Sequence, residues 1–199
     1  MNMEKPFSQA CENNKVAILQ IIRTVYAETP TVWEIGSGTG QHACYFARHL
    51  PHLHWQATDR PENLAGIDSW IREARLDNLP FALALDVSDQ HWPCQRIEAL
   101  FSANTLHIMH WREVERLFAG LREYLHGNAP VCLYGPFNYH GRYTSISNER
   151  FDQWLKVRNP GSGIRDIDDI ELLAKASGLH LAQDFAMPAN NRLLVLRKY

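Results

Sequence analysis

Apolar positions along the chain alternate between two rhythms. Ile18, Leu19, Ile22, Val25 and Tyr26 share one side of a 3.6-residue repeat, which predicts a helix over residues 13–27, capped by Asn13 or Asn14. It either covers a sheet edge or forms a lid. Thr31-Val-Trp-Glu-Ile35 then reads as a short buried strand, apolar except for Glu34. Helical spacing returns at Ala43, Phe46, Ala47 and Leu50, followed by a second strand, His54–Thr58, ending at Asp59. The same alternation predicts a helix with Leu64, Ile67, Ile71 and Ala74 inward, and strands over Phe81–Leu85 and Ile97–Ala103. It continues with an amphipathic helix, Trp111–Tyr124, and a fifth strand, Ala129–Tyr134. A helix over 166–176 and two strands, Leu179–Phe185 and Arg192–Lys198, end the chain. Helices between strands predict a Rossmann-like α/β three-layer sandwich, with a seven-stranded, mostly parallel sheet and a C-terminal antiparallel hairpin.

The connection Phe137–Arg165 is longer than the about 12–15 residues at which structureless loops become uncommon. Its aromatic residues argue against disorder. The spacing predicts a short helix from near Asn148 with Phe151, Trp154 and Leu155 inward, forming either a cap over a pocket or a packing lobe. One domain over 1–199 is expected, with 1–30 as N-terminal helix or lid and 137–165 as cap insertion.

Between first strand and first helix the chain reads Glu34-Ile-Gly36-Ser37-Gly38-Thr-Gly40-Gln. Alternating glycines permit a sharp turn against a ligand. A dinucleotide fingerprint is G-x-G-x-x-G, facing a pyrophosphate. Here the order is G-x-G-x-G and Glu34 stands two positions before it, which would repel a pyrophosphate but suits an ammonium and a sulfonium. These point to S-adenosylmethionine, with S-adenosylhomocysteine as product, and against a nicotinamide dehydrogenase. Asp59 lies 19 residues past Gly40, near the roughly 20-residue spacing at which an acid meets ribose hydroxyls. Asp86 is placed to accept from an adenine amino group, with Leu85 and Val87 flanking the ring.

The fourth strand runs into Asn104-Thr-Leu-His107-Ile-Met-His110-Trp111, where ligands of open α/β sheets bind. Asn104 is read as a cofactor contact. His107 is a candidate general base, or a histidine satisfied by a backbone carbonyl. Tyr134 joins it as a candidate catalytic residue, and with Tyr139 and Trp111 could face a sulfonium. The other histidines, His49, His52 and His54 among them, are read as structural.

With 45% hydrophobic and 21% charged residues the composition is that of a globular protein. A formal net charge of −2 offers no footprint for nucleic acid or anionic membrane. Cys11, Cys44, Cys94 and Cys132 are scattered, fitting neither a disulfide framework nor a metal site. No apolar leader opens Met-Asn-Met-Glu-Lys-Pro, and a cytoplasmic location is expected. Oligomeric state stays open, a dimer included.

Taken together, E-I-G-S-G-T-G-Q-H, W-Q-A-T-D, L-Y-G-P-F, T-S-I-S-N-x-x-F-D, G-I-R-D and M-P-A-N-N-R-L-L-V resemble the methyltransferase-like 26 family over nearly the whole chain. That family is class I S-adenosylmethionine-dependent methyltransferase-like, with substrates largely unassigned. The resemblance implies a class I methyltransferase fold and a cofactor site lined by Glu34, Gly36, Gly38, Asp59, Asp86 and Asn104, to which Ser37, Gly40 and Val87 belong by position. It implies a second pocket near the N-terminal segment, Thr144–Asn148 and Asn190-Asn191, making Asn14, Tyr139, Ser147, Asn148 and Asn190 candidate substrate contacts. Where the family has Glu-Arg-Asn, this chain has Glu12-Asn13-Asn14.

The leading expectation is methyl transfer to a small molecule. Two alternatives keep the cofactor: its cyclisation or lysis to methylthioadenosine, and binding without catalysis.

Overall fold

Alternation along the strands builds two cores on one sheet. The computed structural model describes residues 5–199, so the first four residues of the expected N-terminal lid lie outside the described residues. In β1 (Thr31–Ile35), Trp33 and Ile35 face one side, and Val32 and Glu34 the other. Leu100 and Phe101 of β4 (Leu100–Ala103) divide likewise, as do Leu133 and Tyr134 of β5 (Pro130–Gly135). One face packs on α4 (Trp111–Tyr124) and α6 (Ile167–Ala176), the other on α1 (Gln9–Val25), α2 (Gln41–His49) and α3 (Pro61–Ala74). With β2 (His54–Asp59), β3 (Leu83–Ala84), β8 (Leu179–Met187) and β9 (Asn191–Lys198), the strand order is β3-β2-β1-β4-β5-β9-β8. The first five are parallel; β9 runs antiparallel to both β5 and β8. The expected fold class is therefore observed. Its order reverses between β1 and β4, the switch point at which open α/β sheets bind ligands.

Several boundaries move, each for a local reason. Helix α1 starts at Gln9, not residue 13, because Ser8 caps it: its Oγ accepts from the Cys11 N–H. Asn14, expected as a cap, is a buried mid-helix residue. Strand β3 shrinks to two residues at the sheet edge, leaving Phe81 and Leu83 exposed, with the Arg72 guanidinium over the Phe81 ring. Ile97 leaves the expected fourth strand to bridge with Leu125.

The long connection is ordered. It holds β6 (Phe137–Asn138) paired with β7 (Arg165–Asp166), and α5 (Ile146–Arg158), capped by Ser145. Trp154 is half exposed, against the inward expectation, and Asp152 takes an interior place. The Asp152 carboxylate accepts from the Tyr143 hydroxyl (2.6 Å), Lys156 Nζ (2.6 Å) and the Ile164 N–H (2.7 Å). Burial acts to raise its pKa, but these donors outweigh it and the carboxyl stays below its ordinary value.

Candidate functional site

The carboxyl ends of the parallel strands open into a cavity of about 710 Å³, within the range of small-molecule sites. Its floor is the glycine loop. Gly36 sits at φ +73°, and a Cβ there would stand 2.7 Å from Thr105 Cγ2, so a side chain is barred by both backbone and neighbour. The Gly36 and Ser37 N–H groups donate to the Thr58 carbonyl, tying the loop to β2. The Gly38 N–H donates to Asp59 Oδ2 (2.7 Å), while Asp59 Oδ1 accepts from the Arg60 N–H (2.8 Å) and Asn63 Nδ2 (2.7 Å). A buried carboxylate is thus locked in place on the cavity wall.

Gly36, Ser37, Gly38, Asp59, Asp86, Val87 and Asn104 all line this cavity, as expected. Leu85 and Val87 are buried around Asp86, whose Oδ1 accepts from the Ser88 N–H at 2.8 Å. Asn104 holds a left-handed backbone (φ +57°), with its N–H on the Tyr134 carbonyl at 2.8 Å. Glu34 and Gly40 are not on the wall. Strand alternation turns Glu34 into the α1–α3 face, where its carboxylate accepts from Trp55 Nε1 at 3.0 Å. Burial raises its pKa to about 7 even with Trp55 and Ser37 donating. Gly40 turns the chain into α2 and faces Ile67.

On the far side, Ser147 and Asn148 at the start of α5 line the cavity. Asn148 Nδ2 donates to the Asn190 carbonyl (3.1 Å) and Thr144 Oγ1 (2.9 Å), and Asn190 Nδ2 to Ser147 Oγ (3.3 Å). Asn190 itself stays off the wall, which Ala189 and Asn191 reach instead. Four other expectations need correction. Tyr139 donates to Asp184 Oδ2 (2.6 Å), and Asp184 Oδ1 accepts from Arg192 Nε (2.7 Å), so the phenol is spent on a strand contact. Tyr134 alternates into the α1–α2 face, with Asn14 and Asn191 as hydroxyl partners, while Trp111 lies under the Arg165 guanidinium. None of Tyr134, Tyr139, Trp111 or Asn14 lines the cavity.

His107 does line it, 5% exposed. Burial, and secondarily the Arg165 charge, push its pKa down to about 4, below the near-neutral value expected from sequence. Among the described residues no group hydrogen-bonds its ring nitrogens. Phe151, also on the wall, meets the ring edge-on at 5.3 Å. His42, passed over with the structural histidines, is a second wall imidazole, 4% exposed and stacked on Phe46. Its Nε2 lies 2.7 Å from Asn14 Oδ1, so that nitrogen carries the proton. Burial lowers its pKa to about 4. Its place in the first turn after Gly40 was the available signal.

Ser8, Ala10 and Cys11 also reach the wall. Their segment is fastened by the Ser8 N–H to Gln41 Oε1 (2.6 Å), Gln41 Nε2 to Glu12 (2.7 Å) and Trp70 Nε1 to the Pro6 carbonyl (2.7 Å). Among the described residues no cluster of three His, Cys, Asp or Glu side chains could hold a metal, and no helix is long and apolar enough to cross a membrane.

The two neutral imidazoles set a pH dependence of stability. Each folded pKa (about 4) lies below the ordinary 6.5, so their contribution is full above pH 6.5 and is lost as pH falls toward 4. Glu34 acts oppositely: its stabilisation is full below pH 4.5 and is lost as pH rises through about 7. Two protons taken up on unfolding against one released leave a net of about one between pH 5 and 6, so stability should fall by about 1 kcal/mol per pH unit on acidification. Urea midpoints across that interval measure this slope. In His107→Gln it should be nearly flat, and an unchanged slope would contradict the neutral ring.

Solved structures share this architecture. The mitomycin 7-O-methyltransferase MmcR is 15% identical (TM-score 0.79; 93% of this chain, 54% of that one). The S-adenosylmethionine-dependent methyltransferase SibL, in its apo form, is 19% identical (0.80; 95% and 55%). An O-methyltransferase family 2 protein from Planctomyces limnophilus DSM 3776, in complex with apigenin, is 13% identical (0.83; 96% and 58%). The chain spans little more than half the length of each, and at these identities the likeness establishes the fold, a Rossmann-like methyltransferase fold. A family model, described as protein of unknown function DUF938, matches residues 5–198, and the chain belongs to that family.

Proposed function

We propose that the cavity binds S-adenosylmethionine and directs its methyl group to a small, uncharged acceptor. The observation that carries this is the Asp59 carboxylate, fixed 2.7 Å from the Gly38 N–H at the switch point of the sheet. Two vicinal ribose hydroxyls are donors that suit such a carboxylate. Leu85 and Val87 are the apolar flanks for adenine, with Asp86 as its acceptor and Asn104 beside the cofactor. Among the described residues the charged ones on the wall are Asp59, Asp86 and Glu113 against the single cation Arg60, a balance that favours a cationic ligand. When bound, S-adenosylmethionine supplies a methyl group already activated on a positive sulfur.

The rest of the wall sets the acceptor. Residues from α1, the end of β5, α5 and the β8–β9 turn are all uncharged. A charged acceptor would lose its hydration there without an opposite charge to replace it. His107 offers a free imidazole nitrogen to an acceptor hydroxyl, and Phe151 an apolar face. The segment ending in α1 acts as a lid and residues 137–165 as a cap, excluding water. The resemblance to the methyltransferase-like 26 family supports this reading, and four free cysteines fit a reducing, cytoplasmic setting.

Calorimetric titration with S-adenosylmethionine and S-adenosylhomocysteine should give saturable one-to-one binding. Incubation with a metabolite extract, read by mass spectrometry, should yield S-adenosylhomocysteine only when extract is present, with one extract component gaining a methyl mass. Methylthioadenosine from the cofactor alone would replace transfer with cyclisation or lysis; binding without either product would leave a binding protein.

A further inference from the structure

The segment Gly163-Ile164-Arg165-Asp166 lines no part of the cavity, yet the site hangs on it. Between β4 and α4 the chain passes through Leu106, His107, Ile108 and Met109, whose carbonyls lie outside regular structure and need donors. All four consecutive carbonyls find them in residues 162–165. Arg165 Nε donates to Leu106 O (3.0 Å), the Gly163 N–H to His107 O (2.9 Å) and Ser162 Oγ to Ile108 O (2.6 Å). Arg165 Nη2 completes the set on Met109 O and also reaches Gly161 O at 3.0 Å. The approach is close enough that a Cβ on Gly161 would stand 1.9 Å from His110 Nδ1. On its other side the segment is held by α5, through the Ile164 N–H on Asp152 Oδ1 (2.7 Å).

We propose that Arg165 is a positioning residue: its guanidinium, fixed on the carbonyls either side of His107, sets the imidazole's place in the cavity and joins the His107 loop to the α5 wall. The planar fork suits this task. It presents donors at fixed angles to Leu106, Met109 and Gly161, which a lysine ammonium cannot reproduce. Among the described residues no carboxylate lies within ion-pair distance of the guanidinium, so its charge is met by carbonyl dipoles and by the Trp111 ring at 5.8 Å. Three charges bear on the pair: Arg165 itself, from β7, acts on the imidazole, and Asp152 of α5 and Glu113 of α4 act on Arg165. The proposal rests on His107 serving the acceptor, but its first test does not.

The test compares wild type, Arg165→Met and Arg165→Lys. Ring titration of His107 is followed by NMR of histidine-labelled protein without substrate, the signal being assigned with His107→Gln. Arg165→Met removes charge and fork, and the titration midpoint should rise by about one unit. Arg165→Lys keeps the charge and loses the fork, so the midpoint should hold while kcat falls about tenfold with KM for S-adenosylmethionine unchanged. A His107 midpoint unmoved in folded Arg165→Met overturns the proposal. If that variant does not fold, wild-type kcat in Arg165→Lys overturns it. Absence of any methylated product defeats the transfer reading alone and leaves the NMR result to decide the positioning role.

Discussion

Asp59→Ala is expected to weaken S-adenosylmethionine binding by roughly a hundredfold, with no gain in any other ligand. Hydrogen bonds to a charged group are worth about 1.5–3 kcal/mol each, and two ribose hydroxyls on one carboxylate reach the 2.7 kcal/mol that a hundredfold loss represents. The same carboxylate also serves the protein, accepting from Gly38, Arg60 and Asn63. Its removal therefore loosens the glycine loop, and thermal stability should fall as well. Two companions separate the effects. Asn63→Ala deletes one protein donor and leaves the carboxylate, so it should lower the melting temperature while affinity stays within about threefold. Asp59→Asn keeps an acceptor for the Gly38 N–H but loses the charge, and should fall between, near a tenfold loss. Titration calorimetry on the three variants, each checked for folding by circular dichroism, gives the answer. Affinity within twofold of wild type in Asp59→Ala would remove the ribose contact and the central support for the cofactor reading.

The glycine-loop half of this cavity was legible because it depends on backbone geometry. Strand, glycine turn and helix are marked by residue type, and the distance from Gly40 to Asp59 is set by one helix and one strand of ordinary length. Chain order then brings Asp86 and Asn104 to the same rim. What sequence did not fix is which way a side chain turns once it arrives. Tyr134 ends a strand at the site, but Val131 and Leu133 pack toward α4 and α6, so alternation sends Tyr134 to the opposite layer. Glu34 follows the same rule. The alternation along β1 and β5 carries both orientations. Tyr139 is different: its partner Asp184 is 45 residues away on an antiparallel strand, and no local signal pairs them. For His42 the local signal was weak: a histidine in a helix is ordinarily structural, its place in the first turn after Gly40 points toward the wall, and the approach of α1, bringing Asn14 to its Nε2, fixes where the ring lies. The role of Gly163-Ile164-Arg165-Asp166 was equally hidden, since its partners are backbone carbonyls and any sequence supplies those.

His107→Ala is expected to lower kcat by about a hundredfold to a thousandfold when the acceptor is a hydroxyl, with the affinity for S-adenosylmethionine unchanged. A pKa near 4 makes the imidazole a weak base, which at first argues against that role. The chemistry removes the objection. A neutral hydroxyl that took up the activated methyl group, the carbon–sulfur electron pair staying on sulfur, would carry positive charge on its oxygen, and its proton would be far more acidic than an imidazolium. A neutral ring with that pKa still receives it, and the depressed value keeps the nitrogen free of proton beforehand. Two consequences distinguish this from a packing role. The ring is unprotonated throughout pH 5.5–8, so kcat should be level there and fall only as pH drops through about 4, where stability is also being lost. His107→Gln retains polarity and most of the volume but cannot take the proton, so it should be nearly as slow as His107→Ala while keeping wild-type cofactor binding. If His107→Gln turns over at the wild-type rate, the ring only fills space; an amine or thiol acceptor, which needs little help in losing its proton, would then fit the cavity better than a hydroxyl.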